Sequence, residues 1–534
     1  MSLIRDFGAA RRGASLMLAL GLACIGMRGW RRYALACALG IVATLALPPF
    51  GIVPVLLPAF VGLVWLLDGS PRISSAFWVG WWFGLGHFAA GLYWIANALL
   101  IDAAQFWWLV PFAVLGLPAF LGLFIGAGTA LVRAFDTANA FRVPLLAAVW
   151  VITEYVRGHI LTGFPWNLIG YSWSELPAME QGGAYVGIYG LSLVTLFLAA
   201  APAALIDPRR ARLDPAGVRL NLAALVLLLL MVGGGEARLA GASDATVPGV
   251  RLRLVQPDIP QSLKWRNDQL RSNFAKHIAM SRAPAAQPPN VIIWSEAASP
   301  YFLESDPDAR RLAAEVAPPG GLLLAGSPRA RFDSTGRLQR IWNSLVALDH
   351  DGVVRGTFDK AHLVPFGEYV PLRSILPINR IVPGTIDLSA GPGPRTLHLP
   401  GLPPVGPLIC YEGIFPGAVI DPEDPPAWLL NISNDGWYGY STGPYQHFAE
   451  EAMRAIENGV PMVRVANTGV SGVVDAWGRV RARLGLEVAG DLDTSLPVGI
   501  GGETMYRRLG DLPVLIAVSA VLLWAGFARR NAAQ

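Results

Sequence analysis

Three residues from separate segments of the chain could together perform acyl transfer: Cys410, Glu296 and Lys360. Cys410 ends the apolar run 405–410 (VGPLIC) and precedes Tyr-Glu-Gly. A cysteine where a buried strand meets a polar turn can point into a pocket and act as a nucleophile. Glu296 follows the apolar run 291–294 (VIIW) in the same way. A carboxylate there can accept a thiol proton once burial raises its proton affinity. Lys360 lies in 358–371 (FDKAHLVPFGEYVP), a run too apolar for a free surface loop. An ammonium beside a thiol stabilises the thiolate and then the oxyanion of a tetrahedral intermediate. Lysine is also scarce: Lys264, Lys276 and Lys360 stand alone among 42 Lys and Arg residues. A chain that otherwise uses arginine keeps lysine where a compact ammonium does what a planar guanidinium cannot. A histidine is the usual partner of a catalytic cysteine, so His362 or His447 could pair with Cys410 instead. Spacing leaves both arrangements open.

The elements that must hold these groups fall in a region that begins near residue 245. There, short β-like runs bounded by Pro and Gly (251–255, 291–294, 322–326, 344–349, 405–410 and 428–432) alternate with helical candidates at 268–282, 308–317 and 445–458. That alternation over about 250 residues predicts one α/β-type domain. The rest of the chain is different. Hydrophobic residues make up 53% of all 534 and charged residues only 15%, against roughly 25% charged in an average soluble chain. Mean hydropathy is +0.44. Those values exclude a wholly soluble globule and a disordered chain, and leave a polytopic membrane protein with one soluble domain. A net charge of +4 is too small to point to nucleic acid. Two of the three cysteines, Cys24 and Cys37, lie in apolar runs, so no disulfide framework is expected. No cluster of Cys and His has metal-ligand spacing, and the chemistry above needs no metal or cofactor.

Seven apolar runs precede the polar region, at 34–47, 52–67, 76–100, 107–132, 143–152, 185–206 and 220–232; an eighth follows at 512–527. Arginines mark alternate ends. Arg28, Arg31 and Arg32 precede the first run, Arg72 follows the second, Arg133 and Arg142 flank the gap after the fourth, and Arg209, Arg210, Arg212 and Arg219 lie between the sixth and seventh. The connections 48–51 and 101–106 and the stretch 159–184 hold no Lys or Arg. The positive-inside rule therefore predicts cytoplasmic termini and a catalytic domain on the far side. Residues 1–33 read as an interfacial or dispensable extension. Glu154 and Arg157, three apart near the outer end of the fifth run, are expected as an internal ion pair, since charges there are costly unless paired.

Four motifs carry a resemblance. WSE at 294–296, DKAHLVPFGEYVP at 359–371, LICYEGIFP at 408–416 and NISNDGWYG at 431–439 resemble the nitrilase, or carbon–nitrogen hydrolase, superfamily, whose Glu–Lys–Cys triad comes in this order. With the membrane runs, and with QPDIPQSLKW (256–265), GFPWNLIGYS (163–172) and GPYQHF (443–448), the chain resembles the apolipoprotein N-acyltransferase family from about residue 34 to its end. The resemblance implies a helical membrane domain of about eight transmembrane helices carrying a periplasmic nitrilase-like αββα sandwich. The divisions expected are 1–33, 34–244, 245–500 and 501–534. It also implies Glu296 as general base, Lys360 as electrostatic stabiliser and Cys410 as the acylated nucleophile, supported by Glu368, Tyr411, Glu412, Trp265 and Asn343. Ser295 stands where the family commonly has proline. The implied acyl donor is a phospholipid, phosphatidylethanolamine in the family, and the acceptor is the amino terminus of a diacylglyceryl-cysteine apolipoprotein at the bacterial inner membrane. The stretch 369–393, apolar and rich in proline, is expected as a mobile arm touching lipid through Leu372, Ile375, Leu376 and Ile378.

The arginine pattern has a direct test. A reporter fused after Arg212 should read cytoplasmic, and one fused after Ala245 periplasmic, by paired phosphatase and fluorescence activity. A cytoplasmic signal at Ala245 overturns the seven-run count.

Overall fold

The computed structural model describes residues 16–135, 140–207, 212–375, 380–382 and 386–533. The chain divides into two compact units. Met1–Tyr93, Pro111–Ala240 and Leu509–Gln534 make the first; Trp94–Val110 and Gly241–Arg508 make the second.

In the first unit a helix forms at each expected apolar run: Trp30–Ala43, Leu56–Asp68, Ile73–Gly91, Leu117–Ala134, Arg142–His159, Gly183–Ala200, Pro215–Ala240 and Leu512–Ala533. Among the described residues, four helical stretches are long and apolar enough to cross a membrane: Ala103–Ala134, Gly183–Leu205, Pro215–Ala240 and Leu512–Arg530. Leu16–Gly26 forms a shorter apolar helix, below the ~20 residues of a span. In lipid, helices associate by close backbone approach rather than by the hydrophobic effect. Ile73–Gly91 meets Leu117–Ala134 in this way: a Cβ added to Gly84 would lie 2.9 Å from the Cα of Gly122. The third run departs from expectation. Its helix stops at Gly91, and Trp94 begins the segment that belongs to the second unit. Glu154 and Arg157, expected as an internal ion pair, are both buried and also bond to the backbone or side chains around them. Glu154 accepts the Ile169 N–H and the Trp150 Nε1–H, both at 2.9 Å, while Arg157 donates to the Trp166 carbonyl at 2.7 Å. Both side chains thus brace the loop that follows their helix.

The second unit is built from two sheets. Its strands are β1 (Thr246–Gln256), β2 (Val291–Trp294), β3 (Leu322–Phe332), β4 (Leu338–Asp349), β5 (Val354–Asp359), β6 (Val405–Ile409), β7 (Trp428–Ser433), β8 (Met462–Ala466), β9 (Ser471–Val474), β10 (Val480–Leu484) and β11 (Gly490–Pro497). The first sheet runs β11-β1-β2-β3-β4-β5 and the second β10-β9-β8-β7-β6. In the first sheet the parallel run β1–β2–β3 is flanked by antiparallel strands on both sides; in the second, the parallel run β6–β7–β8 starts at one edge and antiparallel strands continue from β8. Side-chain alternation sorts the strands between layers. Val291 and Ile293 of β2 join Ile409, Leu430, Ile432 and Val463 in the core between the sheets. Ile292 and Trp294 face outward onto Phe274 and Ala309, from the helices α1 (Leu270–Ser281) and α2 (Pro307–Ala314). Leu408, Leu429 and Met462 pack on Phe448, Ala452 and Ala455 of α3 (Gly443–Asn458). The layers are therefore helix, sheet, sheet, helix, and β2, β5 and β6 end where Glu296, Lys360 and Cys410 begin their loops.

Trp94–Val110 is tied into this unit. The indole of Trp94 donates to Gln446 Oε1 at 3.2 Å and crosses the ring of Tyr438 at 4.5 Å between centroids; Asn97 donates to the Tyr438 carbonyl at 2.6 Å.

Candidate active site

Cys410 opens a short 3₁₀ turn, Cys410–Ile414, at the end of β6, with φ +52°. Ala297, next to Glu296, has φ +47°. Non-glycine residues hold that conformation only where the surroundings over-determine it, and such strain gathers at functional sites. The turn after β2 is confined from the side: a Cβ on Gly326 of β3 would come within 2.2 Å of the Ser295 carbonyl. The Ser295 hydroxyl is fully buried and has no hydrogen-bond partner, so serine leaves a polar atom unsatisfied where the family commonly has proline.

Lys360 is 1% exposed. Its ammonium donates to Glu368 Oε1 at 3.0 Å and lies 3.5 Å from Glu296 Oε1. Burial pulls its pKa down, but the two carboxylates outweigh that and hold it far above the ordinary lysine value. Asn343, on β4, spans the same pair: its side-chain amide donates to Glu296 Oε1 at 2.6 Å and to Glu368 Oε1 at 3.2 Å. Glu368 Oε2 accepts the Val364 N–H at 2.8 Å. Glu296 Oε2 is buried with no hydrogen-bond partner. One carboxylate oxygen of Glu296 is thus fixed and the other is free to take a proton.

Burial, and then the charge of Glu296, push the Cys410 thiol well above its usual pKa, against the pull of Lys360. The resting sulfur is a thiol, and it needs a base before it can attack. Glu412 secures the turn. Its Oε2 accepts the Ile409 N–H at 2.8 Å, and its Oε1 accepts the N–H groups of Ala361 and His362 at 2.8 and 3.1 Å. It thereby ties the Lys360 loop to the Cys410 turn; burial raises its pKa to about 7. Tyr411 and Phe415 meet edge to face at 5.0 Å, and His362 stacks on Phe415 at 3.9 Å. Trp265 is half-buried and lines a cavity with Trp437, Arg266 and Arg380.

Sequence reasoning left His447 open as a partner of Cys410. Its Nδ1 lies 3.0 Å from Asp435 and its Nε2 2.9 Å from Glu451, with the Cys410 carbonyl at 3.3 Å. Burial lowers its pKa, yet the carboxylates of Glu451 and Asp435 more than offset this and hold it at about 9. A protonated imidazole cannot take the thiol proton. Arg464 completes this group, donating to both oxygens of Asp435 at 3.0 Å and to Glu451 Oε2 at 2.7 Å. Ligand atoms of Cys410, Asp435 and His447 lie within 4.8 Å of one another. A cation there would have to displace the buried guanidinium that already satisfies Asp435.

Lys264 belongs to the site, although spacing gave it no role. Its ammonium is buried and donates to the Glu296 backbone carbonyl at 2.8 Å. Burial lowers its pKa to about 8, against the charges of Glu296 and Cys410. Scarcity was the one signal that could have found it. In the proposed arm, Ile381 and Val382 hydrogen-bond to Phe366 and Gly367 at 2.9 and 3.1 Å, while Leu372 and Ile375 are about 70% exposed. Leu376 and Ile378 lie outside the described residues.

Two family models match the chain: the apolipoprotein N-acyltransferase N-terminal domain over residues 39–201, and carbon–nitrogen hydrolase over 251–496. An apolipoprotein N-acyltransferase of Bradyrhizobium diazoefficiens is 44% identical over 533 residues, covering 96% of this chain and 98% of that one. The protein of the same name from Rhodopseudomonas palustris is 41% identical over 535 residues, with the same coverage. Among solved structures, an amidase from Nesterenkonia sp. AN1 aligns over 51% of this chain and 98% of its own, with 18% identity and a TM-score of 0.34.

The Lys264 ammonium is present below about pH 8 and lost above it. Turnover should therefore fall as pH rises through about 8, and Lys264→Arg, which keeps its charge, should move that limb upward. A limb unmoved in the arginine variant rules Lys264 out as its origin.

Proposed function

Because the chain belongs to the apolipoprotein N-acyltransferase family, we propose that Cys410, Glu296 and Lys360 are the groups through which it carries an acyl chain from phospholipid to protein. The protein is an enzyme of the bacterial inner membrane, its catalytic domain faces the periplasm, and its substrates are a phospholipid donor and a diacylglyceryl apolipoprotein.

The observation that supports the assignment is the unbonded Glu296 Oε2, on a carboxylate whose charge helps keep the Cys410 sulfur protonated at rest. In the first half-reaction Glu296 takes the Cys410 proton as sulfur bonds to the sn-1 carbonyl carbon. The oxyanion that forms meets the Lys360 ammonium and the Tyr411 N–H. Collapse breaks the ester C–O bond, and the lysophospholipid leaves with the proton returned by Glu296. In the second half-reaction the α-amino nitrogen of the apolipoprotein attacks the thioester carbonyl. Sulfur leaves, the nitrogen gives up a proton through Glu296, and Cys410 is restored as a thiol. The thioester is a more activated acyl donor toward an amine than the lipid ester it is formed from, so one difficult step is split into two easier ones. Glu368, Asn343 and Glu412 act as positioning residues. Glu368 and Asn343 fix Lys360 against Glu296, and Glu412 holds the two loops together.

Intact mass after incubation with phospholipid and no acceptor should show one acyl group on the enzyme. Cys410→Ser should lose that adduct while Cys24→Ala and Cys37→Ala keep it; an adduct surviving on the Cys410 variant defeats the assignment. Lys360→Met should cost about 10²–10³ in acylation rate, or ~2.7–4 kcal/mol, as expected for an oxyanion-stabilising group. Lys360→Arg should be nearly as slow, since a planar guanidinium cannot keep both carboxylate contacts in a 1% exposed site. Near-normal turnover in that variant would show that charge alone suffices.

A further inference from the structure

The hairpin of β3 and β4 runs on past its sheet at the end where the reacting groups lie. β3 is parallel to β2, and their pairing stops at Leu324, opposite Ile293. Just beyond, β2 ends and the chain turns off at Glu296, whereas β3 continues to Phe332 and returns from Leu338 as β4. Asn343, which donates to Glu296 Oε1, stands at the root of this projection, opposite Pro328. Arginines line one face of it. Arg329 with Trp342, then Arg331 with Arg340, share the face that carries Val346 and Leu348 farther back. At Arg329 the charge is neutralised: Glu304 and Asp359 both accept from its guanidinium at 2.7 Å. One pair farther out, Arg331 and Arg340 stand directly opposite each other and are exposed, and no carboxylate pairs with either among the described residues. Arg337, in the connecting turn, is exposed as well. The one acid of that turn, Asp333, is occupied by the Thr335 hydroxyl and by the N–H groups of Thr335 and Arg337. Like charges set opposite on a strand pair destabilise it. Phe332 lies among them, 47% exposed, with one side against Phe302 at 6.1 Å between centroids.

We propose that this hairpin tip rests on the anionic phospholipid surface of the membrane, with Arg331, Arg337 and Arg340 against lipid phosphates and Phe332 at headgroup level. The inference rests on the inner-membrane location and not on the roles of Cys410, Glu296 and Lys360. Charge complementarity carries it: an anionic surface offsets the repulsion between Arg331 and Arg340, and a guanidinium meets a phosphodiester through paired N–H donors. An aromatic ring with one side free belongs at the same depth. Both substrates of the enzyme are held in lipid, so that surface is the one always present. The segment proposed above as a lipid-touching arm is tied to the hairpin. The Ser389 N–H donates to the Ile341 carbonyl at 2.8 Å, and Arg373 pairs with Asp387 at 2.7 Å. The exposed Leu372 and Ile375 flank that arginine. Asn343 lies three residues from Arg340, ~10 Å along a strand, so the tip would hold the reacting groups close to the lipid surface.

The test is lipid contact of the full-length protein in nanodiscs of phosphatidylcholine, alone or mixed with phosphatidylglycerol. Cys24→Ala, Cys37→Ala and Cys410→Ser remove the native thiols, and Ser334→Cys, in the exposed turn, carries a nitroxide. Asp351→Cys, in the turn at the other end of β4, is the reference. Adding phosphatidylglycerol should reduce collisions of the Ser334→Cys label with an aqueous nickel chelate and raise those with oxygen. It should leave the Asp351→Cys label unchanged, and high salt should reverse the effect. Arg331→Gln and Arg340→Gln should each lower the ratio of contacting to free tip about fivefold, while Arg331→Lys with Arg340→Lys keeps most of the contact. A Ser334→Cys label equally exposed in both discs, or equally shielded in both, overturns the proposal, as does a response that survives Arg331→Gln with Arg340→Gln. A label shielded only after addition of a diacylglyceryl apolipoprotein assigns the tip to that acceptor and also overturns it. Because the labelled protein lacks the Cys410 thiol, the measurement is independent of turnover. A wild-type enzyme that phospholipid fails to acylate overturns the donor reading and leaves this contact standing.

Discussion

A lysine ammonium that is almost wholly out of water has to be neutralised where it stands, and Lys360 is 1% exposed. The cost of removing an ion from water is several kcal/mol even after the protein relaxes. Two carboxylates offset it, Glu368 at 3.0 Å and Glu296 at 3.5 Å. That requirement dictates much of the surrounding structure. Two carboxylates about one ammonium leave an excess negative charge, which Lys264 balances through its buried ammonium over the Glu296 carbonyl. The remaining lone pairs are met by Asn343 and the Val364 N–H. One oxygen, Glu296 Oε2, is left without a partner, and it is the one the chemistry uses.

A second group next to Cys410, Asp435, Glu451, His447 and Arg464, repeats the same balance: two carboxylates against two cations, all within 1% of complete burial. Cys410 thus feels two charge-neutral networks in a low-dielectric interior, where an unbalanced charge is severe. Passing the thiol proton to Glu296 leaves a thiolate beside a first network that now carries one net positive charge, so the sum over the two is unchanged. The strained φ angles at Cys410 and Ala297 fit the same scheme, since a sulfur and a carboxylate must be held in register against a backbone that would relax elsewhere.

The positions of Glu296 and Cys410 were legible because each follows a short strand buried on both faces, and such strands read as uninterrupted apolar runs; Lys360 follows the partly exposed VRGTFD and stood out by its scarcity and its apolar surroundings. VIIW became β2 residue for residue. What stayed hidden depended on partners that leave no pattern. Lys264 contacts a backbone carbonyl 32 positions away, and a carbonyl has no sequence signature. His447 could not be excluded as a base until Asp435 and Glu451 were seen on its two nitrogens. The run 76–100 looked like one span because hydropathy is continuous through Leu92–Trp94. Hydropathy does not register that the Trp94 indole has its hydrogen-bond acceptor on Gln446.

That last contact bears on how such a protein could arise. A simple end-to-end fusion of a membrane gene and a hydrolase gene would leave each unit continuous in the chain. Here Trp94–Val110, flanked on both sides by membrane-unit sequence, is a part of the catalytic unit. A hydrolase excised from Gly241 onward would lose the indole that crosses Tyr438 and one wall of a cavity of about 540 Å³. The two units are therefore interleaved. Neither can be exchanged for a homologue's as a cassette unless those seventeen residues travel with the hydrolase, and recombination between relatives should be tolerated only at breakpoints that respect this insertion.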